Sequence, residues 1–97
     1  MNLINNYLEN VNFDLKVSYD RYHDILRMSN YNSGDISMEE INSRVVVVVE
    51  ECKQEVIGFE IYDSLNYSEE NYQALKSAGL NFMATAYKHI IESYKIL

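Results

Sequence analysis

The side chains best suited to chemistry crowd into one short segment, Asp20-Arg21-Tyr22-His23-Asp24, where two carboxylates flank an imidazole. A carboxylate beside a histidine can orient a general base or ligate a divalent metal, so Asp20, His23 and Asp24 form a candidate small hydrolytic site. All three come from a single turn, with no second wall to exclude water. A simpler role is available to them: Asp20 accepts hydrogen bonds from amides of a tight turn and Asp24 closes it, as aspartates do in Asx turns. The second reading is the stronger.

Other chemistry is sparse. The second histidine, His89, lies far along the chain, and no Cys-x-x-Cys or His-x-x-x-His spacing accompanies either imidazole, so a zinc site is not expected. His89 reads as a partly exposed packing residue on a helix. The single Cys52 sits beside Lys53 but among Glu50, Glu51 and Glu55, whose charges disfavour a thiolate. None of the three glycines lies in a phosphate-cradling pattern. No cofactor, metal or catalytic residue is expected, and the chain reads as a non-enzyme. Tyrosine is abundant, at nine residues, and an exposed tyrosine brings large contact area at low entropy cost. Tyr22, Glu50, Glu51, Tyr62, Tyr67 and Tyr72 are the expected interaction surface.

The elements that position these groups are legible from periodicity. Leu3, Ile4, Tyr7, Leu8 and Val11 fall on helical spacing and predict a short helix over 1–11. Phe13, Leu15, Val17 and Tyr19 alternate with Asp14, Lys16, Ser18 and Asp20, the pattern of a half-buried strand. After the turn, Leu26 and Met28 face the core and Ile25 the other side, giving a hairpin. Asn30–Asp35 reads as a turn region, and Ser37 with Glu40 has capping-box spacing that predicts one helical turn. The run Val45–Val49 is a strand, since five successive β-branched residues fit little else. Ile57, Phe59 and Ile61 belong to its hairpin partner, with Gly58 and Glu60 on the opposite face. Gly58 leaves room for a bulge or a close neighbour, and Glu60 is within cross-strand reach of Arg27 or Arg44. Tyr72, Leu75, Gly79, Phe82, Ala86, Ile90 and Tyr94, widened by Met83, Tyr87 and Ile91, predict one amphipathic helix over 68–95, with Gly79 as the place where two helices would otherwise divide. The fold class is α+β: a single domain spanning 1–97, with a four-stranded antiparallel β-meander over 13–63 packed against a long C-terminal helix and a short N-terminal helix.

Tyr19-Asp20, Asp24-Ile25-Leu26, Val45–Val49 and Val56-Ile57-Gly58-Phe59-Glu60-Ile61 together resemble DUF2283, a small bacterial domain of unknown function. The resemblance covers about residues 15–64. It departs at Tyr22-His23, where that family often has proline and acidic residues, in a longer connection before the valine strand, and in helices at both ends. It implies a β-meander whose structural motif is Asp20, Asp24, Gly58 and Glu60, and it implies no activity.

At 97 residues the chain can bury roughly 65% of its unfolded surface, enough for one core. With 15 acidic and 8 basic residues its formal charge is −7, which argues against direct contact with nucleic acid or anionic lipid. Residues 1–63 carry the whole excess and residues 64–97 balance to zero. The absence of a leader or long apolar span points to a cytoplasmic location. The expected function is a non-enzymatic, acidic protein-binding or regulatory module. An alternative is a phage or mobile-element inhibitor that mimics nucleic-acid charge and blocks a basic nucleic-acid-binding protein. Five valines present two faces to one covering helix, so a homodimer or another protein is expected on the second face or the edge beside it.

Overall fold

The computed structural model describes residues 8–9, 15–29 and 35–96. Within them run six strands and two helices: β1 (Leu8–Glu9), β2 (Lys16–Asp20), β3 (Ile25–Ser29), β4 (Ile36–Glu40), β5 (Val45–Glu50), β6 (Glu55–Tyr62), α1 (Ser68–Ser77) and α2 (Asn81–Ile96). The α+β class is as expected, with five antiparallel strands in the order β2-β3-β6-β5-β4, and β1 added parallel to β6. The helix expected over 1–11 is not what the structure shows. Leu8 and Glu9, its described residues, run extended against Glu55 and Val56, and the rest of it lies outside the described residues, as do Phe13, Asp14 and most of the turn begun at Asn30. No described helix is long and apolar enough to cross a membrane.

The capping-box reading of Ser37–Glu40 is overturned, because this segment is strand β4, paired residue for residue with β5 from Ile36↔Glu50 to Glu40↔Val46. Its hairpin closes over Ile41–Arg44, where Asn42 Oδ1 accepts from the amides of Arg44 (2.8 Å) and Val45 (2.9 Å). A short local loop closes at less entropic cost than a long connection. β4 therefore takes the edge of β5 that a meander would have given to β3. β3 pairs instead with β6, from Ile25↔Tyr62 to Ser29↔Gly58, so the simple four-stranded meander is replaced by two hairpin systems joined at β3 and β6.

β6 sits centrally because it tolerates neighbours on both sides. An added Cβ at Gly58 would lie 2.2 Å from the Met28 carbonyl oxygen and 2.5 Å from Ser29 Cα, so only glycine admits β3 at this distance. Opposite β5 the register slips: Val48 pairs with Gly58 and Val49 with Val56, leaving Ile57 as the extra residue of a bulge.

The valine run divides as the strand period requires. Val45, Val47 and Val49 enter the core beneath the helices with Leu26, Phe59 and Ile61. Val46 is half-buried on the other face, and Val48 and Ile57 are buried outside that helix-side cluster.

The single helix over 68–95 is also corrected to two. Gly79 adopts φ +83, its amide donates to Lys76 O (2.9 Å), and the Leu80 amide donates to Leu75 O (3.0 Å). This is a Schellman ending, sealed by buried Leu75 and Leu80. After the break α2 buries Met83, Ala84, Tyr87 and Ile91, with Phe82, Ala86, Ile90 and Tyr94 partly buried at the margin of the same face. Leu80 offers no side-chain cap to α2. Glu9 of β1 supplies it from afar, accepting from the amides of Phe82 (3.0 Å) and Met83 (2.7 Å).

Candidate interaction surface

The turn between β2 and β3 separates the three residues of the candidate hydrolytic site into two unrelated pieces. Asp20 Oδ1 accepts from the amides of Tyr22 (3.0 Å) and His23 (3.2 Å), while His23 Nδ1 lies 2.8 Å from Asp20 Oδ2. The hydrogen bond from His23 holds the Asp20 carboxyl below the usual carboxylate range. Asp24 turns away from this pair. At φ +56 its carboxylate accepts the Tyr19 hydroxyl (2.6 Å) and both its oxygens meet the Leu65 amide (3.0 and 3.1 Å). Burial, reinforced by Asp24, pushes the Tyr19 hydroxyl up to about 12. Among the described residues, no three His, Cys, Asp or Glu side chains gather closely enough to hold a metal ion. Cys52 and His89 are exposed, the latter on α2.

The expected contact residues do not form one surface. Tyr22 is 91% exposed at the tip of the β2–β3 turn. Tyr67 and Tyr72 belong to the helical layer, Tyr67 beneath the Arg44 guanidinium (4.6 Å) and Tyr72 flanked by Lys88 (5.0 Å) and Lys76 (5.5 Å). Glu50, expected to be exposed, is 6% exposed. Its carboxylate accepts the amides of Cys52 (2.8 Å) and Lys53 (3.2 Å) and so shapes the β5–β6 turn. Glu51 beside it is exposed.

Tyr62 and Glu60 meet on the sheet face turned away from the helices. Arg27 Nε donates to Glu60 Oε2 (3.1 Å), the cross-strand pair that the register places opposite. Tyr62 donates to the other Glu60 oxygen, which raises the tyrosine above its ordinary range. Beside this cluster is a groove of about 300 Å³ lined by Lys16, Val17, Ser18, Arg27 and Ser29. The opposite side of the same face is apolar. Ile36 (40% exposed) and Met38 (49% exposed) project from β4 next to half-buried Val46.

Sequence reasoning passed over Ile36 and Met38 because Ser37 and Glu40 suggested a helix start. Their alternation with Ser37 and Glu39 was the available signal. The antiparallel pattern also assigns their backbones. The Glu51 amide donates to Asp35 O (3.0 Å) and the Ile41 amide to Val45 O (2.8 Å). Residues 35, 37, 39 and 41 therefore bond to β5, and the N–H and C=O groups of Ile36, Met38 and Glu40 point to the sheet edge. Among the described residues no strand pairs with that edge.

The chain carries no match to any protein-family model, to any curated protein or to any solved structure.

Proposed function

We propose that this chain is a non-enzymatic binding module that acts through protein contacts on the helix-free sheet face and its β4 edge. The observation that carries the reading is the exposure of Ile36 and Met38 side by side, next to Val46, on a strand whose outer backbone groups have no partner among the described residues. Contiguous apolar side chains beside unpaired strand groups are what a sheet presents to another chain. The likeness to DUF2283 over Tyr19–Asp24 and Val56–Ile61 is compatible with this and adds no activity.

The acidic alternative has its own support. Residues 35–55, which form β4, β5 and their turns, contain six acidic and two basic side chains, whereas residues 15–29 carry a net charge of +1. A basic partner, including a nucleic-acid-binding protein, would meet the β4 side of the sheet.

Crosslinked affinity purification from the native host, comparing the natural chain with the double variant Met38→Lys, Val46→Lys, tests the reading. A partner recovered with the natural chain and reduced at least tenfold with the variant is the expected result. Recovery of no protein above background, or of one indifferent to the variant, would overturn it.

A further inference from the structure

Resting on the reading just given, we infer that the β4 edge takes up an extended basic segment of another protein as an additional antiparallel strand. Three features of Ile36–Glu40 converge on this. Its edge-facing N–H and C=O groups come from Ile36, Met38 and Glu40, so an incoming strand finds a continuous ladder. The strand has no proline, lysine or bulge, the devices that commonly blunt such an edge. The side chains that accompany these edge-facing backbone groups, unpaired among the described residues, are two exposed apolar residues and then a glutamate.

Charge selects the occupant. Asp35, Glu39, Glu40 and Glu51 lie along or beside the edge, and the whole 35–55 segment is net −4. A second copy pairing β4 with β4 about Met38 would bring two such segments together. Glu39 of each copy would then stand diagonal to its counterpart, roughly 8 Å apart, in a destabilising like-charge arrangement. A strand that alternates apolar residues opposite Ile36 and Met38 with lysine or arginine opposite Asp35 and Glu39 meets the same edge with attraction along its length. The opposite edge of the sheet, β2, opens with Lys16 and lacks this acidic bias.

The test uses the full chain and two labelled octapeptides, one alternating Lys and Val, the other Glu and Val. Hydrogen exchange of the unmodified chain should show at least tenfold added protection at the Ile36, Met38 and Glu40 amides with the Lys-Val peptide, and none with the Glu-Val peptide. Fluorescence anisotropy should show Lys-Val binding at least tenfold weaker for the double variant Glu39→Lys, Glu40→Lys. It should also weaken at least tenfold for Met38→Pro, which removes an edge-facing N–H without touching the β5 ladder. Equal binding of the two peptides, unchanged edge amides, or a concentration-dependent dimer that protects those amides without peptide would each overturn the inference. If the edge amides stay unprotected while Met38→Lys, Val46→Lys still loses the captured partner, the face is a binding surface and strand addition is not its mode.

Discussion

The Asp24 carboxylate joins two parts of the molecule, accepting the Tyr19 hydroxyl from the strand before it and the Leu65 amide from the turn that leads into α1. Its backbone oxygen accepts the Ser64 amide as well (3.1 Å). This is the physical content of the second aspartate in the Tyr19–Asp24 motif, and it needs a carboxylate that tolerates positive φ. Asp24→Asn keeps that tolerance but weakens the acceptor, and should cost about 1–3 kcal/mol in urea unfolding. Tyr19 adds a pH signature. Its folded pKa of about 12 lies above the ordinary 10.0. The neutral hydroxyl therefore contributes stability that is fully present below pH 10 and is lost as pH rises through 12. The stability difference between the natural chain and Tyr19→Phe should thus be constant from pH 7 to 9 and shrink above pH 10. A difference that already falls between pH 7 and 9 would contradict this assignment. Asp20 and Asp24 could be read from sequence as turn residues, but the partner of Asp24 could not. Leu65 is 41 positions away, and only packing brings it within reach.

Among the elements, α2 shows how a local deficit is met from a distance. Leu80 cannot cap the helix, the first turn holds no acidic residue, and Glu9 accepts the two free amides. Glu9→Ala should lower stability by about 1 kcal/mol and speed hydrogen exchange at Phe82 and Met83. An unchanged exchange rate at both amides would show that the cap is dispensable. Periodicity located both the helical region and Gly79, yet did not decide that Gly79 would end a helix, because one glycine inside a helix costs only about 1 kcal/mol. The Schellman bonds and the burial of Leu75 and Leu80 settle that balance in favour of a break. β4 was misread for a related reason. Ser37 and Glu40 have the spacing of a helix cap, and five residues carry too little pattern to outweigh it. The free edge of β5 then imposes the strand.

At the scale of the molecule, two faces of one sheet are put to different uses, and two adjacent valines report on them. Val47 lies in the core under the helices, while Val46 is half-buried on the face beside Met38. Val47→Thr buries a hydroxyl and should cost about 1–3 kcal/mol, whereas Val46→Thr should stay within about 0.5 kcal/mol. Equal losses in urea unfolding would mean that both faces are equally closed. The α+β class and the strands around the valine run were determined by the sequence alone, which left the partner of Glu60 open between Arg27 and Arg44. Class and strands rest on residue period or on short-range chemistry, and those survive any arrangement of the elements. Strand order, the identity of the edge strand, the withdrawal of Asp24 from His23, the burial of Glu50 and the gathering of acids beside Ile36 and Met38 were decided only by the tertiary structure. Those features depend on which strands compete for which edge, a contest among distant segments that local pattern does not record.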